Sequence, residues 1–114
     1  MDRRIFSLLL ITLFCLNSLQ GFASGPAISK DSVRIACVGD SITFGAGIKN
    51  REQNSYPAQL RRMLGGKYKV QNFGVSGATL LKKGNKPYWK LNKYKAARKF
   101  EPDVVVIKLG TNDS

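Results

Sequence analysis

The chain has 114 residues, of which 43% are hydrophobic and 23% charged, an ordinary composition for one small globular domain. Its 19 Lys and Arg against 7 Asp and Glu give a formal net charge of +12, which favours acidic partners but does not determine a fold. The sequence contains no histidine, so a mechanism that needs an imidazole base or a histidine metal ligand is incomplete within these residues. Two cysteines, Cys15 and Cys37, are too few for a disulfide-built scaffold.

The N-terminal segment has the pattern of an export signal. Two arginines precede a 12-residue apolar run at 5–16, which is shorter than the roughly 20 residues that cross a bilayer. A small-x-small sequence at 21–23 predicts cleavage after Ala23. We therefore predict a signal peptide at 1–23 and an exported chain, periplasmic or secreted, without a stable membrane anchor. Retention of the segment as an anchor and lipidation at Cys15 are the alternatives.

The first half of the mature chain predicts a strand followed by helices. Residues Val33–Val38 form a short apolar run ended by glycine, which favours a buried parallel strand. A helical segment is predicted to begin at Ile42. An amphipathic helix is predicted over Tyr56–Leu64, with a proline in its first turn and two glycines after it. Three side chains are expected to form its apolar face: Leu60, Met63 and Leu64.

The second half continues the alternation. Lys69–Phe73 is predicted to be a second strand, and a second helix is expected between Tyr88 and Phe100, where apolar residues recur at helical spacing among lysines. The β-branched run Val104–Leu109 predicts a third strand. Strands that alternate with helices imply parallel strands joined by crossovers, so the sequence predicts an α/β fold.

A polar, glycine-rich cluster lies at the carboxyl end of each predicted strand: residues 39–41, residues 72–77, which include the last two residues of the second strand, and residues 110–113. Functional groups of parallel sheets gather beyond the carboxyl ends of the strands, so the three clusters are expected to face one crevice.

These clusters offer one nucleophile and several hydrogen-bond donors. Ser41 lies where a strand turns into a helix, so its backbone N–H is free to help stabilise an oxyanion. Gly77 has no side chain to shield its N–H, and Asn112 carries a carboxamide that donates. Together they make half of an acyl-transfer site, which still needs a base and an orienting acid.

Structural roles remain open for several of these residues. Asp40, Asn72 and Asp113 are each expected to cap or bridge the loops rather than to react. A phosphate-binding loop is disfavoured, because neither G-x-G-x-x-G nor G-x-x-x-x-G-K-[ST] occurs at the strand ends. No metal ligand set and no cofactor are predicted.

The three clusters resemble the motifs of the SGNH hydrolases, also called GDSL-type esterases and lipases. Residues 38–43 are similar to the first motif of that family, 72–79 to the second and 109–113 to the third. The resemblance implies that Ser41 is the nucleophile. It also implies that the N–H groups of Ser41 and Gly77 and the side chain of Asn112 form the oxyanion hole.

The family resemblance further implies a three-layer, doubly wound parallel sheet of strand order 2-1-3-4-5. Residues 24–114 hold only about its first three strands and lack the family's Asp-x-x-His motif. We therefore interpret them as the N-terminal part of such a domain, inactive alone, with an apolar third strand exposed at the sheet edge. The expected reaction is hydrolysis of short acyl esters, such as O-acetyl groups on carbohydrates, with the motifs most similar to the sialate O-acetylesterase and carbohydrate-esterase branch.

The alternative is an exported, non-catalytic protein that binds polyanions or acidic glycans. Between Lys82 and Lys99 there are eight basic residues and no acidic one, interleaved with aromatic side chains. Because exported chains rarely meet nucleic acid, no nucleic-acid partner is predicted. Tyr88 and Trp89 are expected either to line a sugar site or to pack the second helix against the sheet.

Overall fold

The computed structural model describes residues 32–114. The predicted signal peptide and its cleavage site lie outside the described residues. Among residues 32–114, no helix is both long and apolar enough to span a membrane, and no group of three or more His, Cys, Asp or Glu side chains is placed to hold a metal ion.

Three parallel strands form the sheet. They are β1 (Val33–Gly39), β2 (Tyr68–Gly74) and β3 (Val104–Lys108), and β1 lies between the other two. The register pairs Val33 with Tyr68 across one edge of β1 and Ile35 with Val104 across the other. The order β2-β1-β3 confirms the parallel α/β fold and matches the first three positions of the predicted strand order.

Short helices and two longer ones connect these strands. The first crossover contains α1 (Ser41–Phe44), α2 (Arg51–Asn54) and α3 (Tyr56–Leu64). The second contains a single 3₁₀ turn (Tyr88–Lys90) and α4 (Asn92–Lys99). Helix α3 begins with proline in its first turn and ends before Gly65, as predicted.

The alternating side chains of β1 separate the core into two layers. Ala36 and Val38 face the 3₁₀ turn and α4, where they join Phe73 and Tyr88 in one buried cluster. Ile35 and Cys37 face the opposite side, where Tyr56 and Leu60 of α3 cover them. Successive residues of a strand point to opposite faces, so one strand supplies both cores and the helices cover both faces.

The two longer helices differ in detail from their predictions. A helix does lie between Tyr88 and Phe100, but it covers only Asn92–Lys99 and follows a separate 3₁₀ turn, because Leu91 between them has an extended backbone at φ −85° and ψ 153°. The interruption lets Tyr88 and α4 both turn side chains into the same core cluster. The predicted apolar face of α3 is wrong for two of its three residues: Met63 is 82% exposed and Leu64 37%, and only Leu60 packs against the core, because the helix contacts the sheet mainly through its first two turns.

Strand β3 is bonded to β1 along one side only among the described strands. Its apolar side chains are exposed, from 36% at Val106 to 64% at Ile107. The predicted exposure of the third strand is therefore present in residues 32–114.

Candidate active site at the carboxyl edge of the sheet

Backbone hydrogen bonds join the carboxyl ends of all three strands. The N–H of Asp40, after β1, donates to the carbonyl of Lys108 at the end of β3, at 3.2 Å. The N–H of Val75, after β2, donates to the carbonyl of Gly39 at 2.9 Å. The three predicted clusters therefore lie side by side at one edge of the sheet, where ligands of parallel α/β proteins bind.

Ser41 is the first residue of α1 and is partly buried. Asp40 caps this helix, because its Oδ1 accepts a hydrogen bond from the N–H of Ile42 at 3.0 Å. No described residue accepts a hydrogen bond from the N–H of Ser41. That donor is consequently available at the start of the helix, beside the serine hydroxyl.

Two glycines allow α1 to lie against the strand ends. A Cβ on Gly39 would come within 2.6 Å of the Lys108 carbonyl oxygen, and one on Gly74 within 2.7 Å of the Thr43 carbonyl carbon. Real Cβ atoms essentially never approach so closely. The position of Ser41 therefore depends on the absence of side chains at both strand ends, a constraint that the sequence analysis did not identify.

The side chain of Asn72, on β2, holds α1 in place through hydrogen bonds with the backbone. Its Nδ2 donates to the carbonyl of Thr43 at 2.7 Å, and its Oδ1 accepts from the N–H of Gly74 at 2.8 Å. The Asn72 carboxamide thus makes two hydrogen bonds with the backbone, one as donor and one as acceptor, and links the first cluster to the second.

Gly77 occupies a tight turn after β2. The N–H of Ala78 donates to the carbonyl of Val75 at 3.1 Å, and Gly77 has φ +78° at the third position of that turn, where a type II turn needs glycine. Gly77 is exposed, and no described residue accepts a hydrogen bond from its N–H. A second backbone donor is therefore free in this loop.

The loop after β3 is bonded to the loop after β2. Asn112 Nδ2 donates to the carbonyl of Ala78 at 3.0 Å, which uses one of its two amide hydrogens and leaves the other. Asp113 Oδ1 accepts from the N–H of Leu80 at 2.8 Å. The second and third clusters are thus held together through both side chains.

The base and acid of a serine mechanism are missing from these residues. The sequence has no histidine, and Asp40, the carboxylate next to Ser41, is fully buried with one oxygen in its cap. Its Oδ2 is buried without a hydrogen-bond partner among the described residues. Asp40 therefore contributes to the shape of the site through α1.

Cys37 does not compete with Ser41 as a nucleophile. It is a free thiol, fully buried, on the face of β1 covered by α3. Burial raises the pKa of the Cys37 thiol, although a hydrogen bond with Tyr56 partly opposes this effect. Burial likewise raises the pKa of Tyr56, whose hydroxyl lies 3.2 Å from Thr43 Oγ1 beneath α1.

The two aromatic residues considered for a sugar site have different positions. Tyr88 is 4% exposed and donates its hydroxyl to the Phe73 carbonyl at 2.6 Å, so it packs the core. Trp89 is 43% exposed, and the Nζ atom of Lys90 lies 5.2 Å from the centroid of its ring. The eight basic residues of the second crossover are all exposed: Lys82, Lys83, Lys86, Lys90, Lys93, Lys95, Arg98 and Lys99.

The structure thus combines a parallel α/β sheet, a serine at the first strand-to-helix turn and free hydrogen-bond donors in the two neighbouring loops. Residues 37–114 match the GDSL-like Lipase/Acylhydrolase family, and the chain belongs to that family. This match confirms the family suggested by the three motifs.

The chain is also similar to an acetylxylan esterase of Xylanibacter ruminicola, to which it is 56% identical over 89 residues. The aligned part covers 78% of this chain and 18% of that protein. The chain therefore spans less than a fifth of the length of this relative.

Proposed function

We propose that the protein carrying this chain is a serine esterase that removes short acyl groups, foremost O-acetyl groups, from carbohydrates. The observation that carries the proposal is the position of Ser41 between two loops that present free donors, the Gly77 N–H and one Asn112 amide hydrogen. Membership of the acylhydrolase family supports the same reaction class.

The reaction follows from this arrangement in two halves. Ser41 Oγ attacks the acyl carbon while its proton passes to a base, and the carbonyl electron pair moves onto oxygen. The N–H groups of Ser41 and Gly77 and the Asn112 carboxamide stabilise that oxyanion. Collapse of the tetrahedral intermediate breaks the bond to the sugar oxygen, which takes the proton from the base and leaves as a hydroxyl; water then hydrolyses the acyl-Ser41 ester by the same steps. The reaction needs no metal or organic cofactor.

The base in this proposal is an imidazole outside these 114 residues, since the chain contains none. The resemblance to the SGNH hydrolases implies an Asp-x-x-His for this role. We therefore expect hydrolysis from the intact protein and not from residues 24–114 alone.

Acetylated xylan is the first substrate that we propose. The support is the relative named acetylxylan esterase, which is 56% identical to this chain. O-acetylated sialic acid, the other carbohydrate ester suggested by the motifs, belongs in the same test panel. Release of acetate from one and not from the other decides the alcohol partner.

Two substitutions in the intact protein test the reaction. We expect Ser41→Ala to abolish acetate release from p-nitrophenyl acetate and from acetylated xylan. Asn112→Ala should lower kcat by about 10²–10³ with little change in KM, because its donor acts on the transition state. Full activity of Ser41→Ala would overturn the proposal. An unchanged kcat of Asn112→Ala would show that Asn112 does not stabilise the oxyanion and has only the structural role given by its hydrogen bond to the Ala78 carbonyl.

Binding of polyanions is a second candidate function, favoured by the exposure of all eight basic residues on the second crossover. Attraction through exposed lysines is screened by salt, so affinity for an acidic glycan should fall steeply between low and physiological ionic strength. Retention on a heparin column that does not change with salt concentration would exclude this candidate. Glycan binding with intact Ser41-dependent hydrolysis would make it an accessory property.

A further inference from the structure

One lysine of the second crossover is bonded to the peptide group that carries a proposed oxyanion donor. Lys86 Nζ donates to the carbonyl oxygen of Ser76 at 3.0 Å. That carbonyl and the N–H of Gly77 belong to the same planar peptide unit, with the oxygen on one side and the hydrogen on the other. The ammonium group therefore lies on the side of the peptide opposite the free N–H.

The backbone around Lys86 is fixed against the same turn. The carbonyl of Lys86 accepts from the N–H of Thr79 at 2.9 Å, and the N–H of Tyr88 donates to the carbonyl of Thr79 at 3.0 Å. The Lys86 side chain then runs past Gly77, because its Cδ lies 3.8 Å from where a Cβ on that glycine would be. Lys86 is thus directed at the turn from a defined position, unlike a lysine whose side chain extends freely into solvent.

A cation on a carbonyl oxygen changes the opposite end of the peptide. It draws electron density through the delocalised amide and makes the N–H a stronger hydrogen-bond donor, as in other polarised hydrogen-bond chains. A charge-assisted bond is also stronger than a neutral one, so it restrains rotation of the peptide plane. Restraint matters here because Gly77, at φ +78°, has no side chain to fix its own orientation.

We propose that Lys86 is a positioning residue of the oxyanion hole, which polarises and orients the Ser76–Gly77 peptide so that the Gly77 N–H binds the acyl oxyanion. This inference rests on the proposed esterase function. It assigns a role at the site to one lysine of a segment that the sequence presents only as a basic surface.

Three variants of the intact protein separate this role from general charge. Lys86→Met keeps the length of the stem and removes the donor, whereas Lys86→Arg keeps a permanently charged donor. Lys83→Met is the matched control, because Lys83 is exposed and forms no hydrogen bond with a described residue. All three change only one basic residue of the same segment.

The first measurement is the ¹H chemical shift of the Gly77 amide, which does not require activity. We expect Lys86→Met to move this resonance upfield, Lys86→Arg to keep it near the wild-type position, and Lys83→Met to leave it unchanged. An equal shift in Lys86→Met and Lys83→Met would overturn the proposal.

The second measurement is the split between kcat and KM for ester hydrolysis. We expect Lys86→Met to lower kcat by roughly 10-fold at unchanged KM, which is less than the 10²–10³ lost with a whole donor. Lys86→Arg should restore most of the rate. A loss of kcat in Lys86→Met that arginine does not restore, or one matched by Lys83→Met, would contradict the role.

A further variant covers the case in which Lys86→Met folds poorly. Lys86→Gln keeps a polar side chain but removes the charge, so it should also move the Gly77 amide resonance upfield and lower kcat at unchanged KM. A Gly77 amide shift and a kcat equal to those of the wild type in Lys86→Gln would count against the role. If Ser41→Ala leaves hydrolysis intact, the esterase proposal fails while the Gly77 amide shift still decides whether Lys86 polarises the peptide.

Discussion

At the scale of single residues, Tyr88 is the side chain that joins the second crossover to the sheet. Its hydroxyl donates to the Phe73 carbonyl, and its ring meets that of Tyr94 edge-on at a centroid distance of 6.4 Å. Burial raises the pKa of Tyr88 to about 12. The folded state therefore strongly prefers the neutral phenol.

This preference predicts a loss of stability at alkaline pH. Below pH 10 Tyr88 is neutral in both states and its contribution is fully present; between pH 10 and about 12 the unfolded chain releases the proton and the folded chain retains it. The free energy of unfolding should fall by about 2 kcal/mol from this residue over that window. Urea unfolding at several values between pH 8 and 11 should show that the free energy of unfolding falls less with pH in Tyr88→Phe than in the wild type.

At neutral pH Tyr88→Phe should cost about 1 kcal/mol, because the buried hydrogen bond from the Tyr88 hydroxyl to the Phe73 carbonyl is lost. Tyr68→Phe is the control, since the Tyr68 hydroxyl makes no hydrogen bond with a described residue and Tyr68 lies at the start of β2. A pH dependence of Tyr88→Phe equal to that of the wild type would contradict the account.

At the scale of elements, the close approach of α1 to the strand ends defines the site. Gly74 is buried under the backbone of Thr43 and Phe44, and Asn72 closes the contact from β2. A four-residue helix has little intrinsic stability, so these contacts must hold it.

Substitution of Gly74 by alanine tests this dependence. The new Cβ would overlap backbone that has no flexible end to move aside, so we expect a loss of about 1–3 kcal/mol or more in urea unfolding, together with reduced esterase activity. Gly66→Ala is the matched control, since a Cβ there meets nothing within 4 Å and should change stability by less than about 0.5 kcal/mol. Equal effects of the two substitutions would show that α1 tolerates displacement.

The same scale shows what the sequence could predict. Each predicted strand agrees with the structure to within one residue at either end, because a glycine follows each predicted run and because two of the runs, including Val104–Lys108, are apolar and rich in β-branched residues. Helix α2 and the interruption at Leu91 were not predicted. Four residues are too few for a periodic pattern, and the interruption results from the burial of Tyr88 in a core that forms only when the strands assemble.

The residues of the candidate site were also predicted only in part. The three loop clusters stood out because each combined glycine with polar residues directly after an apolar run. The bond from Lys86 to Ser76 was not foreseen, because nothing in a row of exposed lysines distinguishes the one that a tertiary contact directs at a particular carbonyl.

At the scale of the whole molecule, residues 32–114 carry the proposed half-site on a three-stranded sheet. Expressed alone, residues 24–114 should show no Ser41-dependent hydrolysis, because they contain no imidazole. They should also aggregate, because β3 exposes a row of apolar side chains beside unpaired backbone groups. Size-exclusion chromatography and an acetate-release assay measure both properties, and a soluble, active monomer would contradict the prediction.

Export is the second whole-molecule prediction. We propose that the mature chain begins near Ser24, after removal of residues 1–23, and N-terminal sequencing of material from the periplasm or medium would check this. Recovery of an intact Met1 from that material would contradict cleavage. Ala23→Arg should prevent cleavage of the signal peptide, because cleavage requires a small residue at this position.

The central claim is that Ser41 forms the acyl-enzyme, and covalent labelling tests it most directly. A fluorophosphonate reacts with an activated serine hydroxyl to form a stable phosphonyl ester and release fluoride. In the intact protein, tryptic peptide 35–49 contains Ser41 as its single serine, so fragmentation of that peptide locates the adduct. We expect the adduct on Ser41, loss of ester hydrolysis in proportion to labelling, and no adduct in Ser41→Ala. Complete loss of hydrolysis with the label on another residue would contradict the assignment.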